Sequence, residues 1–146
     1  MQVVLDTNVL ISFLLTRGET IGRILDAWED ETFTVCVSPL MLAEMRRVLE
    51  YPHLKERIKS EEAQALLNTL ETDALLLEGV VTITGATTDP KDDMVVACAV
   101  EGKADYIVSG DPHLLKLKRY DGVQIVAPAE FVEILKGAKD DNQSQE

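Results

Sequence analysis

Short, mostly apolar runs alternate along this chain with longer stretches in which apolar residues recur every three or four positions. The runs are "VVL" (3–5), "TVCV" (34–37), "VVTIT" (80–84), "YIVS" (106–109) and "VQIVA" (123–127). Each is short and rich in β-branched residues, which predicts strands buried on both faces. The stretches between them predict helices. Residues 9–16 form a short apolar helix, and 19–30 place Ile21, Ile24, Leu25 and Trp28 on one face. "SPLMLAEMRRVLE" (38–50) starts with Ser38 as N-cap and Pro39 at the first helical position. A helix from Ser60 carries Ala63, Leu66, Leu67 and Leu70 as its stripe. "TDPKDDMVVACAVEG" has Asp89 as N-cap and Pro90 after it, and Gly102 ends it. A short helix follows at 112–118, and Pro128 opens a last one to about Leu135.

Strand and helix alternating throughout predict an α/β fold, a parallel sheet with helices on both faces. One domain over residues 1–136 is expected. The remaining "GAKDDNQSQE" (137–146) is polar and aperiodic, and is expected to be disordered.

Composition narrows the class. At 146 residues and 46% hydrophobic content the chain suits one compact domain. No apolar stretch is long enough to span a bilayer, and no basic leader precedes the first apolar run, so a cytoplasmic protein without membrane contact is expected. Cys36 and Cys98 both sit in apolar surroundings and read as buried thiols, and there is no CxxC or Cys/His cluster for a zinc site. The net charge of −12 excludes a general electrostatic attraction for phosphates. Two local basic patches remain: Arg46, Arg47, Lys55, Arg57 and Lys59, then Lys116, Lys118 and Arg119.

The acids carry the candidate chemistry. In open parallel sheets, sites form beyond the carboxyl ends of strands. Asp6 interrupts "VVLDTNVLIS" directly after a strand, and Asp111 follows "YIVSG". Glu44 shares a helical stripe with Leu40, Met41 and Val48, although a salt bridge to Arg47 would also account for it. Asp92 and Asp93 both lie in the first turn of a helix that is apolar nearly all round, so periodicity does not choose between them. Two unit charges 4 Å apart repel by roughly 4 kcal/mol at an effective dielectric of 20. Converging carboxylates must therefore take up protons or bind a cation. Oxygen-only ligands suit Mg²⁺ or Mn²⁺, and the matching chemistry is metal-assisted phosphodiester hydrolysis.

The stretches "VVLDTNVLIS", "SPLMLAEMRRVL" (38–49), "TDPKDDMVVACAVEGKADYIVSGD" (88–111) and "VQIVAPAEFVEIL" (123–135) together resemble the PIN-domain family. Among its members they look most like the prokaryotic, VapC-like toxins. The resemblance implies a three-layer α/β/α sandwich with a five-stranded parallel sheet. It also implies a Mg²⁺- or Mn²⁺-dependent ribonuclease, the toxin of a toxin–antitoxin pair, with RNA as substrate, an antitoxin protein as partner, and a homodimeric state. The family's metal-holding and catalytic acids map onto Asp6, Glu44, Asp93 and Asp111. Asp93 is preferred over Asp92 because a small residue, Ala97, follows it in the helix. Asn8 and Ser109 map onto supporting polar positions, Asn8 orienting the Asp6 carboxylate. Arg46, Arg47 and Lys116 are the expected RNA-binding residues. The alternative is a catalytically silent PIN-like module that binds RNA or a partner. A phospho-accepting receiver domain lacks its Asp at the end of a middle strand. A haloacid-type phosphatase would need a second Asp where Asn8 stands.

Overall fold

A computed structural model describes the backbone of residues 1–144 and side chains as far as Ala138. The chain runs β1 (Gln2–Leu5), α1 (Thr7–Thr16), α2 (Glu19–Glu29), β2 (Thr34–Val37), α3 (Pro39–Leu49), α4 (Pro52–Lys55), α5 (Ser60–Asp73), β3 (Leu75–Leu76), α6 (Pro90–Glu101), β4 (Tyr106–Val108), α7 (Pro112–Leu115), β5 (Arg119–Tyr120), β6 (Val123–Val126) and α8 (Pro128–Ser144). The sheet has six strands in the order β3-β2-β1-β4-β6-β5. The first four pairings are parallel; β5 and β6 are antiparallel.

Four of the five expected strands form where their apolar runs lie. Val3, Val4, Val35, Cys36, Ile107, Val108, Ile125 and Val126 are all buried, as strands covered on both faces require. The helix starts hold as well. Ser38 Oγ accepts from the Met41 amide at 3.2 Å, and Asp89 Oδ1 accepts from the Lys91 amide at 2.9 Å. Both cysteines are buried and free. Burial pushes the Cys98 thiol up to about 12, so it does not ionise at neutral pH.

Two expectations are corrected. The fifth strand is not at 80–84. Leu75–Leu76 takes the outer edge of β2 instead, and the chain then leaves the sheet, turning at Gly79 with φ 81°. Residues 80–84 do alternate: Val81 and Ile83 are half-buried, while Val80, Thr82 and Thr84 are exposed. Their partner is a helix, not a strand. Glu101 on α6 accepts from the amides of Gly79 and Val81, each at 3.0 Å. Asp93, at the other end of α6, accepts from the amides of Gly85 (3.0 Å) and Thr87 (2.7 Å). Two carboxylates thus latch an extended strap across the helix. The second correction is the added hairpin β5–β6. It turns on Asp121 and Gly122, both at positive φ (48° and 83°), the pairing that a two-residue hairpin favours. The backbone of α8 runs to Ser144, into the segment 137–146 that was expected to be disordered. Residues 145–146 of that tail lie outside the described residues.

The latch gives a prediction. The amides of Val81 and Gly79 hold the Glu101 carboxyl below its ordinary value of 4.5. That stabilisation is present above this value and is lost as pH falls through the lowered one. In Glu101→Ala, hydrogen-exchange protection at Gly79 and Val81 should drop to that of an open loop, with β1 and β4 amides unaffected. Retained protection at those two amides would show that Glu101 does not hold the strap.

Candidate functional site

The strand order reverses at the middle of the sheet. From β1 the chain moves outward to β2 and β3; from β4, on the other side of β1, it moves outward to β6. The gap beyond the carboxyl ends of β1 and β4 is therefore a topological switch point, where open parallel sheets place their ligands. Asp6 follows β1 directly, and Ser109 follows β4.

Asp6 is held from three sides. Its amide donates to the Val108 carbonyl at 2.9 Å, extending the β1–β4 ladder by one bond. Its Oδ1 accepts from the Asn8 amide at 3.4 Å as the N-cap of α1. Its Oδ2 accepts from the Ser109 hydroxyl at 2.7 Å. The same hydroxyl oxygen accepts from the Asp111 amide at 3.0 Å. Ser109 is 0% exposed and its own amide donates to Val126, so the hydroxyl is fixed in space. Asp111 caps α7, accepting from the His113 amide at 2.9 Å. Asn8 thus contributes its backbone, while its residue surface faces outward, a different role from the side-chain one expected.

The third acid in this gap is Asp92. It is 6% exposed, and among the described residues its Oδ2 is the buried side-chain atom with no hydrogen-bond partner. Burial, then the charges of Asp111, Asp89 and Asp6, push its carboxyl up to about 6. Asp6 is also raised, by burial first, against the opposing hydrogen bonds of Ser109 and Asn8. The acids of three separate segments therefore feel one another here.

Asp93 is not among them. Both of its oxygens are taken up by the strap: Oδ2 by the Gly85 amide, Oδ1 by the Thr87 amide and, at 3.0 Å, the Thr87 hydroxyl. Adjacent helical residues point about 100° apart, so only one of the pair can face the strand ends. Against the preference for Asp93, it is Asp92 that lies with Asp6 and Asp111. Glu44 is half-buried on α3, but its charge is already matched. Arg47 donates to it twice, at 2.6 and 3.1 Å, and Lys91 Nζ lies 3.3 Å from Oε1. Arg47's hydrogen bonds hold its carboxyl below the usual range. The basic residues expected to contact RNA are also engaged: Arg46 pairs with Glu71, and Arg47 with Glu44 and the Tyr51 hydroxyl. Lys116 is exposed at the end of α7. Among the described residues, no group of three or more His, Cys, Asp or Glu side chains is already arranged to hold a metal ion.

The strained carboxyl of Asp92 gives a signed prediction. Its pKa rises from 3.8 unfolded to about 6 folded, so the folded state binds the proton more tightly. The destabilising charge is fully present above pH 6 and is relieved as pH falls toward 4. Asp92→Asn should therefore raise stability at pH 7.5 by on the order of 1–3 kcal/mol, and change it little at pH 4, by urea unfolding. A loss of stability at pH 7.5 would contradict this.

The chain matches the PIN domain family model over residues 2–113. It is 27% identical over 140 residues to the uncharacterized protein MJ1680 of Methanocaldococcus jannaschii, covering 90% of each chain. The fold is similar to that in the crystal structure of VapBC2 from Rickettsia felis bound to a DNA fragment from their promoter. That likeness has a TM-score of 0.60 at 14% identity and covers 87% of this chain and 98% of the other. It is also similar to the fold in FitAcB from Neisseria gonorrhoeae, with a TM-score of 0.51 at 18% identity over 86% and 97% of the two chains. With the family model covering most of the sequence and the acids of Asp6, Asp92 and Asp111 at the switch point, this chain belongs to the PIN-domain family.

Proposed function

We propose that this chain is a Mg²⁺- or Mn²⁺-dependent ribonuclease whose acidic residues are Asp6, Asp92 and Asp111. The observation that carries the reading is the buried, unpartnered oxygen of Asp92 beside two further acids. A buried carboxylate oxygen without a donor is costly unless a cation or proton completes it. The donors offered are oxygens alone, the set that Mg²⁺ and Mn²⁺ prefer over zinc or copper. When bound, such an ion acidifies water and stabilises charge on the phosphoryl oxygens.

The residues of the chain do the positioning. Ser109 fixes one oxygen of Asp6 through its hydroxyl and orients Asp111 through the Asp111 amide. Asp92 supplies a charge that is complete only above its raised pKa. Glu44 is paired with Arg47 and Lys91, and the reading does not require it to touch the ion.

On this reading the chain is the toxin of a toxin–antitoxin pair, neutralised by an antitoxin protein and working as a homodimer in the cytoplasm; the fold it shares with chains of VapBC2 and FitAcB supports a partner of that kind. Among the described residues, no helix is long and apolar enough to cross a membrane. A second reading, a catalytically silent RNA- or partner-binding module, is favoured by one observation: Glu44, expected among the metal-holding acids, is already paired with Arg47 and Lys91.

Cleavage of single-stranded RNA by the purified chain separates the two. With Mg²⁺ or Mn²⁺ the wild type should cleave, and EDTA, Asp6→Asn, Asp92→Asn and Asp111→Asn should each abolish turnover. Ser109→Ala should cost about 10–100-fold, the size typical of losing a group that orients a metal ligand. Asp93→Asn should lose activity only in proportion to lost folded protein. Metal-independent cleavage would reject the metal dependence, full activity in Asp92→Asn would reject Asp92 as a site residue, and no cleavage at all would reject the nuclease assignment. RNA binding without turnover would select the silent module.

A further inference from the structure

A polyanionic substrate approaching three acids on a chain of net charge −12 needs a local cation. Arg46 and Arg47 are both committed to acids of their own chain. Lys91 is placed differently. It directly precedes Asp92 in the first turn of α6, and its amide is fixed by the Asp89 carboxylate at 2.9 Å. Its side chain is 58% exposed. The sole ion pair it makes among the described residues is the 3.3 Å contact with Glu44 Oε1.

That contact is a surplus one. Oε1 already accepts from Arg47 at 2.6 Å, and Oε2 from the Arg47 Nε at 3.1 Å. A bidentate guanidinium satisfies a carboxylate both in charge and in geometry. Glu44, Arg47 and Lys91 together carry a net charge of +1, and Lys91 is the chain neighbour of Asp92. The ammonium has three donors and spends one on a long contact. Glu44 nonetheless matters to Lys91, because it draws the ammonium toward α3 and away from the Asp92 and Asp89 carboxylates next to it in the chain. A lysine collapsed onto those acids would neutralise them.

We propose that Lys91 is a substrate-binding residue that takes a phosphate oxygen of RNA at the edge of the acidic gap, with Glu44 and Arg47 acting as its positioning pair. The inference rests on the ribonuclease reading, and the two fail separately. The probe is a fluorescein-labelled single-stranded RNA dodecamer, titrated with the full chain in Mg²⁺ over a range of KCl. Asp111→Asn serves as the background, to prevent turnover. Lys91→Gln should reduce the slope of log K against log salt by about 0.7, the value for one phosphate contact to a single strand. Lys91→Arg should restore the slope. Lys136→Gln, which removes the same charge from α8, should leave it unchanged. On the active chain, Lys91→Gln should raise KM with little change in kcat, as loss of uniform binding requires.

An unchanged slope and KM in Lys91→Gln would overturn the proposal while cleavage by the wild type left the nuclease reading standing. Salt-dependent binding that needs Lys91, in a wild type that never cleaves, would sustain the lysine's role and defeat the nuclease reading. Binding by the wild type that does not vary with salt would overturn the proposal as well.

Discussion

One hydroxyl group organises the acidic gap. Ser109 Oγ donates a hydrogen bond to Asp6 and accepts one from the Asp111 amide, so a single oxygen ties the end of β1 to the segment after β4. Both strands are central and parallel, and their ladder continues to the Asp6 amide. Asp6, and through Ser109 the Asp111 amide, are therefore set by sheet geometry rather than by loop conformation. A neutral donor matters here: a lysine or arginine at the same place would hold Asp6 equally well but would cancel the charge that a cation is attracted to.

Asp92 and Asp93 show how neighbours of identical chemistry acquire opposite roles. Both are 6% exposed. Asp93 accepts three hydrogen bonds, and its burial is compensated. Asp92 keeps an oxygen without a partner and sits among like charges. Local rules of polar satisfaction are broken at one of the two positions, and such breaks concentrate where a protein does work. The stabilising acid and the destabilising acid occupy successive positions of one helical turn, so the strap that Asp93 secures also sets the rotation of α6 that presents Asp92.

Much of this was readable from the residues, and the rest was hidden for definite reasons. Ser38-Pro39 and Asp89-Pro90 announce their helices because capping is local. Asp6 after a β-branched run announces the switch point because strand ends are local too. Asp92 and Asp93 were inseparable because α6 is apolar on almost every face, so no stripe marks its inward side. Arg46 looked free because its partner, Glu71, lies on α5, and no pattern within α3 reveals it. "VVTIT" has the period of a strand and keeps it, yet two carboxylates stand where the neighbouring strand would be. The hairpin at Asp121-Gly122 is the one omission with a visible signal, since that dipeptide is among the strongest short-range marks of a two-residue turn.

The latched strap has a bearing on solubility. Residues 80–84 form an uncharged, proline-free, β-branched stretch, the composition that stacks into cross-β assemblies when exposed. Here α6 masks it with paired acids at both ends, and their charge discourages a second molecule from adding itself there. A chain whose α6 frays releases this β-branched stretch in the same event. For this protein, the helix that carries the buried acid Asp92 is also the guard against self-association of partly unfolded molecules.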